Sequence, residues 1–297
     1  MEREIIEKEI LKEVFKKRSE DSHKYDWGYV LIIGGSQLYS GSPALSAMAA
    51  MRVGIDLTLI IAPERAANII ASFSPDLIAY PLEGSDIELK NLPTLIALTN
   101  SAKKTAEGKI AVVIGGGIGR DEETQKTIRE YLKFIDIPCV IDADAIWAIA
   151  NKKEILKEKK VILTPHSSEY FILTGKKINQ MSQEEKETEV QNTAKDLNCT
   201  ILLKGNPDII ASPNKLALNK TGNPYMTVGG TGDTLAGICG AFLSQGFGPF
   251  LSASVAAFLN GVAGDMAAEK FGPGLLATDI VKSIPKVIKK YKYIYNN

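Results

Sequence analysis

Gly229, Gly230, Thr231, Gly232 and Asp233 form the segment of this 297-residue sequence best suited to chemistry. Three glycines let a backbone approach a phosphate closely and aim successive amides at it. The small, apolar run that follows reads as a helix, whose first N–H groups are free and whose dipole presents its positive end. A carboxylate at Asp233 then stands where an anion should bind. Two roles fit it: a helix N-cap, contributing about 0.5–2 kcal/mol, or a general base that takes a proton from a substrate hydroxyl. Spacing alone leaves both open. The turn predicts a bound nucleotide phosphate and phosphate-dependent chemistry on a hydroxyl held beside Asp233.

The elements that must position this turn follow an alternating pattern. Short β-branched runs at 30–33, 57–61, 95–98, 110–114, 139–141, 161–163 and 201–203 read as strands, several of them apolar throughout, as strands buried on both faces should be. Helical periodicity fills 43–53, 122–134, 144–150, 167–173 and 183–197. The alternation predicts an α/β fold with a mostly parallel central sheet and helices on both faces. Beyond residue 203, strands 208–211 and 215–218 flank Ser212-Pro213-Asn214 as a hairpin, and helices follow at 231–244 and 249–270. No repeat or linker divides 1–297, so one domain is expected. Residues 1–18 read as an N-terminal helix packing through Ile5, Ile6, Ile10, Leu11 and Val14, a partner surface or a lid.

In an open α/β sheet, ligands bind beyond the carboxyl ends of the strands. Five unusual loops follow strand candidates and would gather on that edge: Gly34-Gly35-Ser36, Gly115-Gly116-Gly117-Ile118-Gly119, Asp142-Ala143-Asp144, Thr164-Pro165-His166 and Lys204-Gly205-Asn206. Asp142 and Asp144 could cap the next helix or hold a magnesium ion through water. His166 reads as a turn residue or a ligand contact, and Lys204 as a snorkelling lysine or a phosphate contact.

Composition narrows the classes. Lys+Arg and Asp+Glu each number 35, so there is no global electrostatic case for nucleic acid. No G-x-x-x-x-G-K-[ST] occurs, and Arg120 spoils a G-x-G-x-x-G reading of the Gly115 loop, so neither a Walker-type site nor a dinucleotide Rossmann site is expected. No apolar run is read as reaching the roughly 20 residues of a membrane helix, and the charged N-terminus is not a signal peptide. Cys139, Cys199 and Cys239 lie far apart in apolar stretches and read as buried thiols in a reducing cytoplasm. With two histidines and no His/Cys cluster, a structural zinc site is not expected. The basic tail Lys286, Lys289, Lys290 and Lys292 reads as a solvated face.

The Gly-rich turn opening a helix resembles that of the ribokinase-like superfamily, and the chain is more narrowly similar to the ADP/ATP-dependent NAD(P)H-hydrate dehydratases. The matching segments are Ser22-His23-Lys24-Tyr25-Asp26-Trp27-Gly28 leading into Gly34-Gly35-Ser36, then Tyr39-Ser40-Gly41-Ser42-Pro43-Ala44. They continue with 115–119, Asp142-Ala143-Asp144-Ala145, Thr164-Pro165-His166-Ser167-Ser168-Glu169, Lys204-Gly205 and 222–237. They occur in family order and span about 19–270.

The resemblance implies a ribokinase-like fold and a dehydration of (S)-NAD(P)H-hydrate to NAD(P)H, with Mg²⁺ and with ADP, or ATP, as phosphoryl donor. It places Ser42, Gly119, His166 and Asp233 against the hydrated nicotinamide nucleotide, with Asp233 as the activating base. It places Lys204, Gly205, Asn206, Pro207 and Asp208, with Gly230, Thr231 and Gly232, against the adenine nucleotide. The chain departs from the family pattern at Ser42, where Ala is usual, at Ser167, where Gly is common, and at Asn206-Pro207-Asp208. The epimerase domain fused ahead of many relatives is not expected. A cytoplasmic homo-oligomer such as a tetramer, with no nucleic-acid or membrane partner, completes the expectation. The rivals are a ribokinase-like small-molecule kinase with a stable product and a non-catalytic nucleotide sensor.

Overall fold

A computed structural model describes residues 3–291. Its strands are β1 (Arg3–Ile5), β2 (Tyr29–Ile33), β3 (Leu57–Pro63), β4 (Ile78–Leu82), β5 (Ile110–Ile114), β6 (Cys139–Ile141), β7 (Val161–Leu163), β8 (Thr200–Leu203), β9 (Asp208–Ala211) and β10 (Leu216–Asn219). They form one sheet in the order β1-β10-β9-β8-β7-β6-β5-β2-β3-β4. Only β9 runs against its neighbours, pairing antiparallel with β8 and β10. From β2 the chain builds outward to β4, then returns to lay β5 on the other side of β2. That reversal opens a crevice at the carboxyl ends of β2 and β5, where doubly wound sheets bind ligands.

The helices are α1 (Leu11–Val14), α2 (Gly41–Val53), α3 (Glu64–Ala71), α4 (Leu92–Thr105), α5 (Glu122–Phe134), α6 (Asp144–Ile149), α7 (Ser167–Thr174), α8 (Gln183–Leu197), α9 (Thr231–Ser244), α10 (Pro249–Phe271) and α11 (Ala277–Lys290). Strand alternation splits the core into two layers. Val30 and Ile32 of β2 join the layer beneath α2, α3, α9, α10 and α11. Leu31 and Ile33 join the layer beneath α4–α8. Because both faces are covered, β2 and β5 are buried along their whole length, which is why their sequences read as unbroken apolar runs.

Several expectations need correction. Residues 95–98 belong to α4, in which Leu95, Thr99 and Ala102 are the buried positions, a helical spacing that a four-residue apolar run cannot reveal. The sequence reading passed over β4, whose Ile78, Tyr80 and Pro81 lie exposed on an edge strand, the place where a sheet tolerates proline. The N-terminal segment is not one helix: β1 pairs with β10, a short 3₁₀ turn follows, and α1 is a single turn. Ile6, Leu11 and Val14 are buried in the core rather than offered to a partner; Met1 and Glu2 lie outside the described residues.

Residues Pro249–Gly274 are long and apolar enough to cross a bilayer, contrary to expectation, but most of the span is buried within the fold, as in a core helix. Helix α11 escaped notice because Pro285 interrupts its pattern, yet Ile280, Ile284 and Val287 line its buried face. Lys286, Lys289 and Lys290 lie on its exposed face, as expected; Lys292 falls outside the described residues. All three cysteines are buried and unpaired.

Helices α2 and α9 approach so closely that a Cβ on Gly237 would collide with the Ser46 carbonyl. Alanine at an ordinary helix position is favoured over glycine by about 1 kcal/mol, but overpacking costs about 1–3 kcal/mol. Gly237→Ala is therefore expected to lower the melting temperature, whereas Gly41→Ala, whose Cβ meets nothing within 4 Å, is expected to leave it unchanged or raise it. Thermal melts of both variants check this; an unaffected Gly237→Ala protein would contradict the packing.

Candidate active site

The site grows from the β2/β5 crevice. The loops after the two strands are pinned together, with Gly35 N donating to Gly116 O at 2.9 Å. Over them, α9 begins at Gly230, which takes φ +96° as the N-cap and has no side-chain capping bond. A Cβ there would lie 2.6 Å from Leu45 Cδ1 and 2.9 Å from Ala277 Cβ, so both conformation and space demand glycine. Thr231 Oγ1 donates to Met226 O at 2.8 Å, folding the preceding turn against the helix. Asn260 of α10 completes the brace, donating to Thr231 O (3.4 Å) and accepting from Thr234 Oγ1 (2.8 Å). The first amides of α9 are left facing outward, as at any helix start.

Asp233 stands third in that helix, so it is not the N-cap. Its Oδ1 accepts from the hydroxyl of Ser42, at the start of α2, and its carbonyl accepts from Ser46 Oγ at 2.9 Å. A Cβ on Gly116 would strike the Ser42 hydroxyl and lie 2.9 Å from Asp233 Oδ1, so the pair fits only over a glycine floor. Burial and the nearby Asp142 carboxylate push the Asp233 carboxyl up to about 6, against the pull of Ser42 and Lys204. A carboxylate of that basicity is suited to accepting a proton near neutral pH.

Lys204, at the end of β8, is the cation of the site. Its Nζ lies 3.0 Å from Asp142 Oδ1 and 3.6 Å from Glu169 Oε2, and a Cβ on Gly232 would come within 3.3 Å of it. Burial alone would lower the lysine's pKa; Asp142 and Glu169 outweigh that and hold it raised. The ammonium is thus fixed and charged at the glycine turn rather than snorkelling to the surface. Asp142 is buried and also accepts from Thr164 Oγ1 at 2.7 Å. Asp144 is engaged elsewhere, accepting from Gly119 N (3.1 Å) and Arg120 Nε (2.8 Å). Neither caps α6, whose N-cap is Ala143.

His166 caps α7: its Nδ1 accepts from Ser168 N (3.0 Å) and Glu169 N (3.4 Å), while Glu169 Oε2 accepts from His166 N (2.8 Å). Its Nε2 lies 3.3 Å from Glu169 Oε1. Both ring nitrogens are thus turned to the protein, and what the half-exposed imidazole offers outward is its ring. Gly205 N donates to Asp208 Oδ1 at 2.9 Å, closing a turn that contains a cis Asn206-Pro207 bond. Burial pushes the Asp208 carboxyl up to about 6.

A cleft of 740 Å³ opens between these walls. It is lined by His166, Lys204, Gly205, Asn206 and Asp208 on one side and by Gly230, Thr231, Gly232 and Asp233 on the other. Ser42 borders it through Asp233. Gly119 and Pro207 do not line it. A second cavity, of 480 Å³, lies at the opposite end of the sheet, around Val161, Thr200 and Phe250, far from this chemistry. Sequence reasoning gave no role to Glu169, although its spacing from His166 is that of a capping box. Asn260, Asn219 and Asp265 carried no signal, because their partners are remote in sequence.

The geometry defines a class: a ribokinase-like α/β protein with a glycine turn opening a helix, a buried carboxylate and a charged lysine at the crevice. A family model described as NAD(P)H-hydrate dehydratase matches residues 30–286. The bifunctional NAD(P)H-hydrate repair enzyme of Pyrobaculum aerophilum is 42% identical over 278 residues, covering 93% of this chain and 53% of that protein. The chain spans about half the length of several such curated relatives it matches. The ADP-dependent (S)-NAD(P)H-hydrate dehydratase of Nitrosopumilus maritimus is 32% identical over 294 residues, covering 99% of this chain and 100% of that one. Among solved structures, the ADP/ATP-dependent NAD(P)H-hydrate dehydratase of Bacillus subtilis, co-crystallised with ATP/Mg²⁺, aligns with a TM-score of 0.82 at 27% identity, covering 97% of this chain and 98% of that one. The chain belongs to the NAD(P)H-hydrate dehydratase family.

Because Asp233 has a raised carboxyl pKa in the fold, its protonated form is the better tolerated one. Its contribution to stability is fully present below the unfolded value near 4 and is lost as pH rises through about 6. The melting temperature of Asp233→Asn, relative to the unsubstituted protein, is expected to rise between pH 4 and 7. Paired melts across that window check it; a constant or falling difference would contradict the burial.

Proposed function

We propose that this protein dehydrates (S)-NAD(P)H-hydrate to NAD(P)H, using ADP and yielding AMP and phosphate. The observation that carries the reading is the Ser42–Asp233 pair at the start of α9, beside the Lys204 ammonium. In this reading the Asp233 carboxylate is the base, the glycine turn the anion cradle and the Lys204 ammonium the cation beside them. The family membership supplies the substrate class.

The substrate carries a hydroxyl next to its ring nitrogen, and hydroxide leaves poorly at neutral pH. Asp233 takes the hydroxyl proton as the oxygen attacks the terminal phosphoryl group of the nucleotide, and AMP departs. The ring nitrogen lone pair then expels phosphate, and loss of a proton from the adjacent carbon restores the dihydropyridine. The cradle formed by 229–232, the α9 N-terminus and Lys204 stabilise the charge spread over the transferring group. Ser42, Gly119 and His166 take the hydrated nicotinamide side. Lys204, Gly205, Asn206 and Asp208, with Gly230, Thr231 and Gly232, take the adenine nucleotide, and Pro207 shapes their turn without lining the cleft.

The donor set also fits Mg²⁺. Among the described residues no three acidic, His or Cys side chains form a cage. Mg²⁺, however, keeps most of its waters and is held by one or two carboxylates together with phosphates. Asp142 and Glu169, both beside Lys204, are placed for that role, whereas Asp144 is committed to Gly119 and Arg120. When bound, Mg²⁺ would neutralise charge on the phosphates. Three buried, unpaired cysteines fit a reducing, cytoplasmic setting.

Purified protein, hydrated NADH and Mg²⁺, with ADP or ATP in separate reactions, test the proposal by recovery of the reduced-nicotinamide absorbance. ADP is expected to support recovery with AMP and phosphate released. Equal or faster turnover with ATP would overturn the donor assignment. Stable phosphorylation of an alcohol, without recovery of NADH from its hydrate, would establish a kinase instead.

A further inference from the structure

Asn219 ends β10 behind the cleft and does not line it. At 1% exposure it is among the most buried polar residues of the fold. Its Nδ2 donates to Asp208 Oδ2 at 2.9 Å and to the Ala257 carbonyl of α10 at 3.1 Å, with Thr221 O at 3.4 Å. Its Oδ1 accepts from Thr221 Oγ1 at 2.8 Å and from Thr221 N at 3.3 Å. Each partner passes the restraint on. Asp208 holds Gly205 N through its other oxygen. Thr221 leads into Gly222 and Asn223, which Asp265 of α10 anchors by accepting from Gly222 N and Asn223 Nδ2, both at 3.0 Å. The fit against α10 is close: Cβ atoms on Gly261 and Gly264 would collide with Thr221 Oγ1 and Met226 Sδ.

One amide therefore ties together the two walls of the cleft, 204–208 and 221–231, and the helix behind them. We propose that Asn219 is a positioning residue for the adenine nucleotide: through Asp208 and Thr221 it fixes the gap into which the nucleotide fits, without touching it. The inference rests on reading this cleft as the nucleotide site. An amide suits the task because it donates to a carboxylate and accepts from a hydroxyl at once. An ionised aspartate of the same shape cannot donate and would set a second carboxylate against Asp208, and a protonated one would offer a single donor where the amide offers two, leaving buried groups unpaired. The apolar packing of β10 is carried by Leu216, Ala217 and Leu218, all buried, so the sheet does not depend on the amide.

The test is calorimetry of ADP with Mg²⁺ on the full chain, alongside the Michaelis constant for hydrated NADH. Asn219→Asp is expected to weaken ADP binding about 10- to 100-fold, with the constant for hydrated NADH and the turnover at saturating ADP nearly unchanged. Asn219→Ser, uncharged but too short to reach Asp208, is expected to weaken ADP in the same selective way and serves if Asn219→Asp does not fold. Unchanged ADP affinity in a folded variant, or equal weakening of both ligands, would overturn the positioning role. Wild-type protein that binds ADP but never recovers NADH would overturn the proposed reaction while leaving this measurement intact. Wild-type protein that binds no ADP would overturn both.

Discussion

The structure depends on one close approach, that of the N-terminus of α9 to the N-terminus of α2 across the β2/β5 crevice. The Ser42 hydroxyl meets the Asp233 carboxylate there, and nothing larger than glycine is tolerated beneath or beside them: Gly116 forms the floor, Gly230 the turn, and Gly237 the helix contact. Two helix N-termini converge on this point, so their outward amides favour negative charge. Those glycines cost backbone entropy in a fold that could have used alanine, and the cost is compensated by small, dense packing between the helices. Ala44, Ala47 and Ala50 of α2 and Ala236 and Ala241 of α9 are all buried there.

The same approach sets the electrostatics. Asp142, Glu169 and Asp233 share one fixed cation, Lys204, so carboxylates outnumber cations at this point. Holding Asp233 ionised with a carboxyl pKa of about 6 costs on the order of 3 kcal/mol relative to the unfolded chain. Sites that do chemistry commonly carry such a penalty. The His166–Glu169 capping box adds a second consequence, since Glu169 touches both the imidazole and the lysine. His166 and Lys204 are thereby linked through one carboxylate.

Much of this was legible in the sequence where local rules decide the outcome. The boundaries of α5, α8 and α9 match the expected 122–134, 183–197 and 231–244, because helical periodicity and the glycine turn mark their ends. The parallel sheet and the five loops gathered at one edge follow from the strand–helix alternation. Legibility ended where tertiary contact overrides local pattern. A four-residue run at 95–98 fits strand and helix alike, and its packing settled the matter. The N-terminal segment gained a strand only by pairing with β10, more than 200 positions away. The N-cap reading of Asp233 could not be set aside until Gly230 was seen at that position and Ser42 on the carboxylate. Asp142 and Lys204 read as separate loop residues, because nothing local reports a hydrogen bond spanning 62 positions.

The central claim, that Asp233 is the base rather than a structural cap, is tested most directly by the steady-state turnover of Asp233→Asn with hydrated NADH, ADP and Mg²⁺. Asparagine preserves the shape and can still meet the Ser42 hydroxyl, so the protein stays folded. The account predicts a turnover lower by roughly 100- to 10,000-fold, with a much smaller change in the Michaelis constants. Near-normal turnover in the folded variant would contradict it.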